Sequence, residues 1–261
     1  MIYKRLIPVI LIKDGLVVQS FNFNRHLPIG KPKYIVDYLS SWDSDEIIVL
    51  DISSSKNKTS LNKDLINILS KHTNVPLTLG GGVKDLSSAE QYFKNGADKI
   101  SINSLFTDQK YDTINMISKE YGAQSIVLSL DFIMDSRGIY VLYNHILNTN
   151  SRLTINNVID KIKNHIEVGE VLINSVDRDG SKMGYDINLL NFFNGTISNP
   201  ILALGGANTS KHFLEISKFH NITGMCASNI FLHLEHSTDI FRNLVNKQEQ
   251  YFRKNNYFIR N

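Results

Sequence analysis

Eight short runs of apolar, β-prone residues punctuate this 261-residue chain, and stretches with helical spacing separate them. The runs are "LIPVILI", "EIIVLD", "PLTL", "DKISIN", "SIVLSLD", "EVLINS", "PILALGG" and "ITGMCAS". Between them, sets such as Leu61, Leu65 and Leu69, or Val158, Ile162 and Ile166, fall on one helical face and leave polar residues on the other. Strands apolar along their whole length are buried on both faces, and parallel strands need crossover helices to join them. Eight such units in about 250 residues predict an α/β fold, a closed (β/α)8 TIM barrel rather than an open doubly wound sheet. Residues 1–261 are expected to form one such barrel.

The chain also repeats itself once. "PLTLGGG" answers "PILALGG", with Gly81 and Gly205 124 positions apart, and "EIIVLDIS" answers "EVLINSVDRDG", with Asp51 and Asp177 126 apart. "DKISINSLF" answers "TGMCASNIF", and the first strand pairs with "SIVLSLDF", which sets Leu11 opposite Asp131. A duplicated and fused half-barrel is the simplest account, and it implies two equivalent ligand positions at one face.

Composition closes off several functions. A net charge of +3 with scattered basic residues lacks the footprint of a nucleic-acid binder. The single cysteine, Cys226, excludes an intramolecular disulfide and a multi-cysteine metal site, and reads as a buried thiol in a reducing compartment. Lys4 and Arg5 precede an apolar run, but it stops at Lys13-Asp14 with no small-residue cleavage site, so a cytoplasmic chain without a membrane span is expected. The eight histidines show no HExxH spacing, and His233 and His236 read as a solvated helix face. Neither a GxxxxGK[ST] loop nor a nucleophile elbow occurs, and no metal or cofactor is expected. The ending "YFRKNNYFIRN" reads as a packed terminal segment.

In a barrel of this type the chemistry gathers where strands run into their following loops. Glycines stand there, Gly80-Gly81-Gly82 after the third run and Gly205-Gly206 after the seventh, and bare backbone can approach an anion. Asn103-Ser104 and Ala227-Ser228 follow the fourth and eighth runs, each expected to open a helix whose N-terminus holds phosphate. Paired pockets across the mouth suit a substrate with a phosphate at each end. Four carboxylates, Asp51, Asp131, Asp177 and Asp179, lie at or just after strand ends. Asp131 is the first candidate for acid–base chemistry, since it ends an otherwise apolar strand, whereas others of the set hold loop backbones.

The stretches "KRLIP", "KDG", "LDI", "TLGGGV", "GADKISIN", "GEVLINSVDRDGSKMGYD", "LGGA" and "ASNIF" resemble the HisF family over nearly the whole chain. These are the cyclase subunits of imidazole glycerol phosphate synthase. The resemblance implies a barrel that receives ammonia from a HisH glutaminase at its bottom and passes it along the axis. At the top the ammonia would meet a bis-phosphorylated ribonucleotide. It assigns one phosphate pocket to Gly82, Asn103 and Ser104, and the other to Asp179, Gly180, Gly206, Ala227 and Ser228, beside Gly205. It makes Asp131 one of two catalytic aspartates, and the other position holds Leu11, which can neither give nor take a proton.

Other departures cluster at the same mouth. Gln19 stands where the family has lysine, and Asn174 and Leu204 where it has threonine and serine. The bottom, in contrast, keeps the family's ammonia gate in full, Arg5, Glu46, Lys99 and Glu170, with Asp98 at a position that faces the glutaminase. Such a ring is also able to stand as a purely structural ion network. The resemblance is greatest to HisF-like paralogues of glycosyl amidation in surface-polysaccharide (lipopolysaccharide) pathways. These pair with a HisH-like glutaminase to form a heterodimeric amidotransferase that delivers ammonia to an N-acetyl sugar. No nucleotide-binding loop is visible, so a third, ATP-dependent sugar amidotransferase would activate the sugar's amide oxygen, and the ligand at the mouth would be phosphorylated or nucleotide-linked. The alternative is an authentic histidine-pathway cyclase in which Asp14 or Asp51 replaces the missing acid. A non-enzymatic structural partner is a third reading.

Overall fold

Each of the eight apolar runs forms a strand, and the eight strands close on one another. The computed structural model describes residues 3–54 and 62–254. Twelve strands occur among them: β1 (Arg5–Lys13), β2 (Leu16–Phe21), β3 (Arg25–Gly30), β4 (Ile47–Asp51), β5 (Leu77–Gly80), β6 (Lys99–Ile102), β7 (Ile126–Met134), β8 (Tyr140–Asn144), β9 (Thr149–Thr154), β10 (Glu170–Ser175), β11 (Ile201–Leu204) and β12 (Ile222–Ala227). The parallel order β1-β4-β5-β6-β7-β10-β11-β12 returns to β1, a closed (β/α)8 barrel. Helices Pro32–Ser41, Lys63–Lys71, Leu86–Lys94, Tyr111–Tyr121, Ile155–Asn164, Ile187–Phe193, Ser210–Ser217 and Ser237–Asn246 accompany the strands. Their starts are written locally. Asn62 accepts the amide of Asp64 at 2.8 Å, and Asp85 with Ser88 forms a reciprocal capping box.

Two layers of core result from the alternation of side chains along each strand. Outward residues pack under the helices, while Ile7, Val9, Ile48, Val127, Leu172, Leu202 and Cys226 fill the axis. The Cys226 thiol is fully buried as expected, and burial pushes its pKa well above the usual thiol value. The packed ending holds for its first residues. Lys4 bridges Phe252, and Arg253 with the fully buried Arg242 binds Asp43 and Asp45. Residues 255–261, like Leu61, lie outside the described residues.

The remaining four strands were not foreseen from the sequence. "FNFNRHLPIG" lies mostly in an antiparallel hairpin, β2–β3, laid against β1, and β8–β9 forms a second one against β7. Asp14-Gly15, both at positive φ, makes the two-residue turn from β1 to β2, but the turns inside β2–β3 and β8–β9 hold no such pair and their strands alternate little, so these hairpins carry weak signals. Both hairpins follow the first strand of a half-barrel, so the second half reproduces even this excursion of the first. The register agrees: Leu11 lies beside Leu50 on β1 and β4, and Asp131 beside Asn174 on β7 and β10.

Candidate functional site

The C-terminal ends of the barrel strands and the two hairpins surround a cavity of about 430 Å³. On one side Asp131 is only 7% exposed, and its carboxylate is held at both oxygens. Asn174 Nδ2 donates to Oδ1 at 2.8 Å and Asn103 Nδ2 to Oδ2 at 3.0 Å. His145 Nδ1 stands 3.9 Å from Oδ2. Burial pushes the Asp131 pKa up, against the pull of His145 and the amide donors, and the charge of Asp179 adds to the rise. Strand β7 runs three residues past Asp131, to Met134, so this carboxylate lies inside the strand's length rather than at its end. His145 escaped the sequence reading because the hairpin that carries it did.

Across the mouth Leu11 takes the place equivalent to Asp131 and lies beside Leu50, while Leu204 lies beside Asn174; all three pack on the axial cluster and line the cavity. Gln19, on β2, is buried and lies 2.6 Å from His233 Nε2 through its amide nitrogen. His233 therefore sits at the rim of the mouth, not on a helix face. His236 directly precedes the helix Ser237–Asn246, its ring 5.3 Å from that of Trp42.

Gly81, Gly82, Gly180, Gly205 and Gly206 all line the cavity and all have positive φ. Two show why no side chain is admitted: a Cβ on Gly81 would collide with the carbonyl of Asp51, and one on Gly206 with that of Gly184. Asn103, Ser104, Ala227 and Ser228 join them, but the expected helix N-termini are reduced to single turns, Ser104–Thr107 and the 3-10 turn Asn229–Leu232. Ser228 Oγ and Asn229 Oδ1 are buried with no hydrogen-bond partner in the protein.

The other carboxylates hold backbone. Asp51 accepts the amides and hydroxyls of Ser53 and Ser54, and Asp177 accepts the amide of Met134 at 2.9 Å. Asp179 lines the cavity, yet its carboxylate fastens the first hairpin through Ser20 Oγ at 2.7 Å and the Phe23 amide at 3.0 Å. Asp14 is an exposed turn residue with φ of 50°.

At the opposite end of the axis the four charged residues meet. Arg5 Nη1 donates to Glu46 Oε2 at 2.6 Å, and Arg5 Nη2 pairs with Glu170 Oε1. Lys99 Nζ reaches Glu46 at 3.0 Å and Glu170 at 2.7 Å, closing a four-membered ring. Thr78 Oγ1 donates to Glu46 at 2.7 Å. For Glu170, burial opposes the charge but Arg5 and Lys99 outweigh it and hold the pKa down. For Arg5, burial is likewise outweighed by Glu170 and Glu46, and the pKa rises. Asp98 is exposed one residue before Lys99 and accepts the Leu77 amide at 2.8 Å. Among the described residues no three His, Cys, Asp or Glu side chains gather as a metal set, and no helix is long and apolar enough to cross a membrane.

Comparison with known proteins adds a lineage to this geometry. The family model described as "Histidine biosynthesis protein" matches residues 5–237. A Vibrio vulnificus protein provisionally named imidazole glycerol phosphate synthase subunit hisF2 is 42% identical over 236 residues, 90% of this chain and 85% of the relative. Proteins named imidazole glycerol phosphate synthase subunit HisF are similar at greater distance. The one from Sulfolobus acidocaldarius is 35% identical, covering 82% of this chain and 85% of its own. The one from Staphylococcus carnosus is 32% identical, covering 88% and 91%.

Proposed function

The chain belongs to the HisF family, and from that premise we propose that it is the ammonia-conducting subunit of a glutamine amidotransferase. A HisH-type glutaminase would dock at the N-terminal face around Asp98, and ammonia would pass the ring of Arg5, Glu46, Lys99 and Glu170. It would then travel along the axis to the mouth. The acceptor is not the histidine-pathway ribonucleotide but an N-acetyl sugar, phosphorylated or nucleotide-linked, in surface-polysaccharide synthesis. A third, ATP-dependent protein activates its amide oxygen.

One observation carries this reading: the complete ionic ring shares its axis with a mouth in which Leu11 occupies the place of an acid. Cyclisation and cleavage of the family's ribonucleotide call on paired proton transfers, and a leucine packed on the apolar axis beside Leu50 supplies none. Neither proposed substitute is well placed, since Asp51 is committed to Ser53 and Ser54 and Asp14 lies in an exposed turn. The glycine-lined pockets that survive in both halves favour a phosphate-bearing ligand: Gly82, Asn103 and Ser104 on one side, Gly180, Gly205, Gly206, Ala227 and Ser228 on the other.

The same pockets, with the named HisF relatives, support the second reading, a histidine-pathway cyclase. Purified chain supplied with ammonium ion and the ribonucleotide decides between them. The expected rate lies about 10²-fold or more below that of true cyclases, with partial recovery in Leu11→Asp. A rate near theirs overturns the proposal. In a system rebuilt with glutaminase, sugar and activating protein, Arg5→Ala and Lys99→Ala should cut glutamine-dependent product. Unchanged product in both would leave the ring a structural network.

A further inference from the structure

We propose that His145 and Asp131 form a new acid–base unit at the mouth, in which His145 does the work that no group at position 11 is able to do. The inference rests on the ammonia-delivery reading above and adds to it the group that takes the proton.

The placement is built rather than incidental. His145 follows the last residue of β8, where the chain turns back towards β9. The side chain of Asn144 fixes that turn by accepting the amides of Ile146 and Leu147, each at 3.0 Å, which is the behaviour of an Asx turn. The turn projects the imidazole into the cavity, where Nδ1 stands 3.9 Å from Asp131 Oδ2. The Asp131 carboxylate is in turn held by Asn103 and Asn174, so both of its oxygens have fixed directions. At 3.9 Å the pair lies beyond hydrogen-bond reach, but a carboxylate this close stabilises the imidazolium once a proton has been taken. The symmetry of the halves makes the assignment specific. Leu11 and Phe21 line the mouth from β1 and the first hairpin, whereas Asp131 and His145 line it from β7 and the second. The first hairpin brings its own histidine, His26, to the cavity, where its Nδ1 stands 3.5 Å from Lys13 Nζ, but the histidine paired with Asp131 is His145. The other charged or titratable groups at this cavity are Asp179, whose field also reaches Asp131, and Lys182, Lys13, Asp14, Asp51, His26 and His233.

The lone pair of ammonia attacks the acceptor's amide carbon, whose oxygen has been phosphorylated or adenylylated. A C–N bond forms. The new nitrogen, now cationic, passes one proton to neutral His145, and the C–O bond breaks with its electron pair leaving on the phosphate group. His145 then returns its proton to the departing phosphate or to water, with Asp131 compensating the imidazolium charge throughout.

The pairing is tested first on the chain alone, by NMR titration of the His145 imidazole and the Asp131 carboxyl. Asp131→Asn should lower the His145 midpoint by about one unit from its wild-type value, as removal of a carboxylate partner does. His145→Gln should raise the Asp131 midpoint, since coupling between two sites is reciprocal. Because Asp131→Asn disturbs a buried amide cluster, His145→Gln, at a part-buried turn position outside that cluster, supplies the independent arm. If neither midpoint moves, the unit does not exist. The second test uses the rebuilt glutaminase system, where His145→Gln should lower product formation 10²-fold or more while glutamine hydrolysis by the partner persists. His145→Gln at wild-type product rate overturns the role. Absence of product from the wild-type system would instead count against ammonia delivery, and the titration would still decide the pairing.

Discussion

The two ends of the barrel axis are finished differently. At the N-terminal end each charge of the ring is answered within the protein: Arg5 and Lys99 share Glu46 and Glu170, and Thr78 takes up the second oxygen of Glu46. At the C-terminal end Ser228 Oγ and Asn229 Oδ1 are buried without a partner, and Asp131 is held with a raised pKa. Buried polar groups are nearly always satisfied, so two orphaned side chains that line a cavity mark a place built to receive something. An end that satisfies itself is built to stand, or to be opened at a cost.

The largest effect should come from breaking the complete end. Glu46 is 1% exposed and bonds to Arg5, Lys99 and Thr78, so Glu46→Ala leaves two cations to share Glu170 alone and the Thr78 hydroxyl without its acceptor. A loss of about 3–5 kcal/mol in urea unfolding at pH 7 is expected, the range for removing one partner of a buried ion pair. A loss below about 1 kcal/mol, the range of solvated surface pairs, would dissolve the contrast between the ends. At the mouth, Leu11→Asp puts a carboxylate into the apolar side and should cost about 1–3 kcal/mol at pH 7. Its burial raises the folded-state pKa, so the cost should shrink as pH falls towards the unfolded carboxyl value of about 3.9. A cost independent of pH would mean that the new side chain finds a partner or water.

Asp131→Asn should act in the opposite sense. The folded-state pKa of Asp131 is raised, chiefly by burial, so its contribution to stability is full below about 3.9 and is lost as pH rises through the folded value. The variant's stability relative to wild type should therefore improve with pH across that window, by less than the Leu11→Asp cost. A relative stability that falls with pH would show that His145 and the two amides outweigh burial.

Much of this contrast was legible in the chain, and the reason differs by region. The barrel was legible because strands buried on both faces leave a dense apolar signal, and the ring through the family resemblance, which picked out Arg5, Glu46, Lys99 and Glu170. Leu11 became informative through the repeat, which set it opposite Asp131. The hairpins β2–β3 and β8–β9 were missed because their strands alternate weakly, and β3 is largely exposed. With them went His145 and the true place of Gln19 and His233. The carboxylates show the other limit. Asp51, Asp131, Asp177 and Asp179 are alike in sequence, and only their partners separate a cavity acid from three residues that fasten loops.

The smallest expected effect is also the most direct on the receiving end. If the glycine-lined pockets and the Ser228 hydroxyl are arranged for an anion, inorganic phosphate should bind the folded chain and not the unfolded one. At ten times its Kd the stabilisation is about 1.4 kcal/mol, which for a chain of this size raises Tm by roughly 3–5 °C. Ser228→Ala removes a buried hydroxyl that has no partner in the protein, so it should leave the ligand-free Tm nearly unchanged while weakening the phosphate response. Glu46→Ala, at the far end, should keep the response in full despite its lower starting Tm. A phosphate shift that survives Ser228→Ala but vanishes in Glu46→Ala would locate the anion at the ionic ring. The end that looks complete would then be the one that binds.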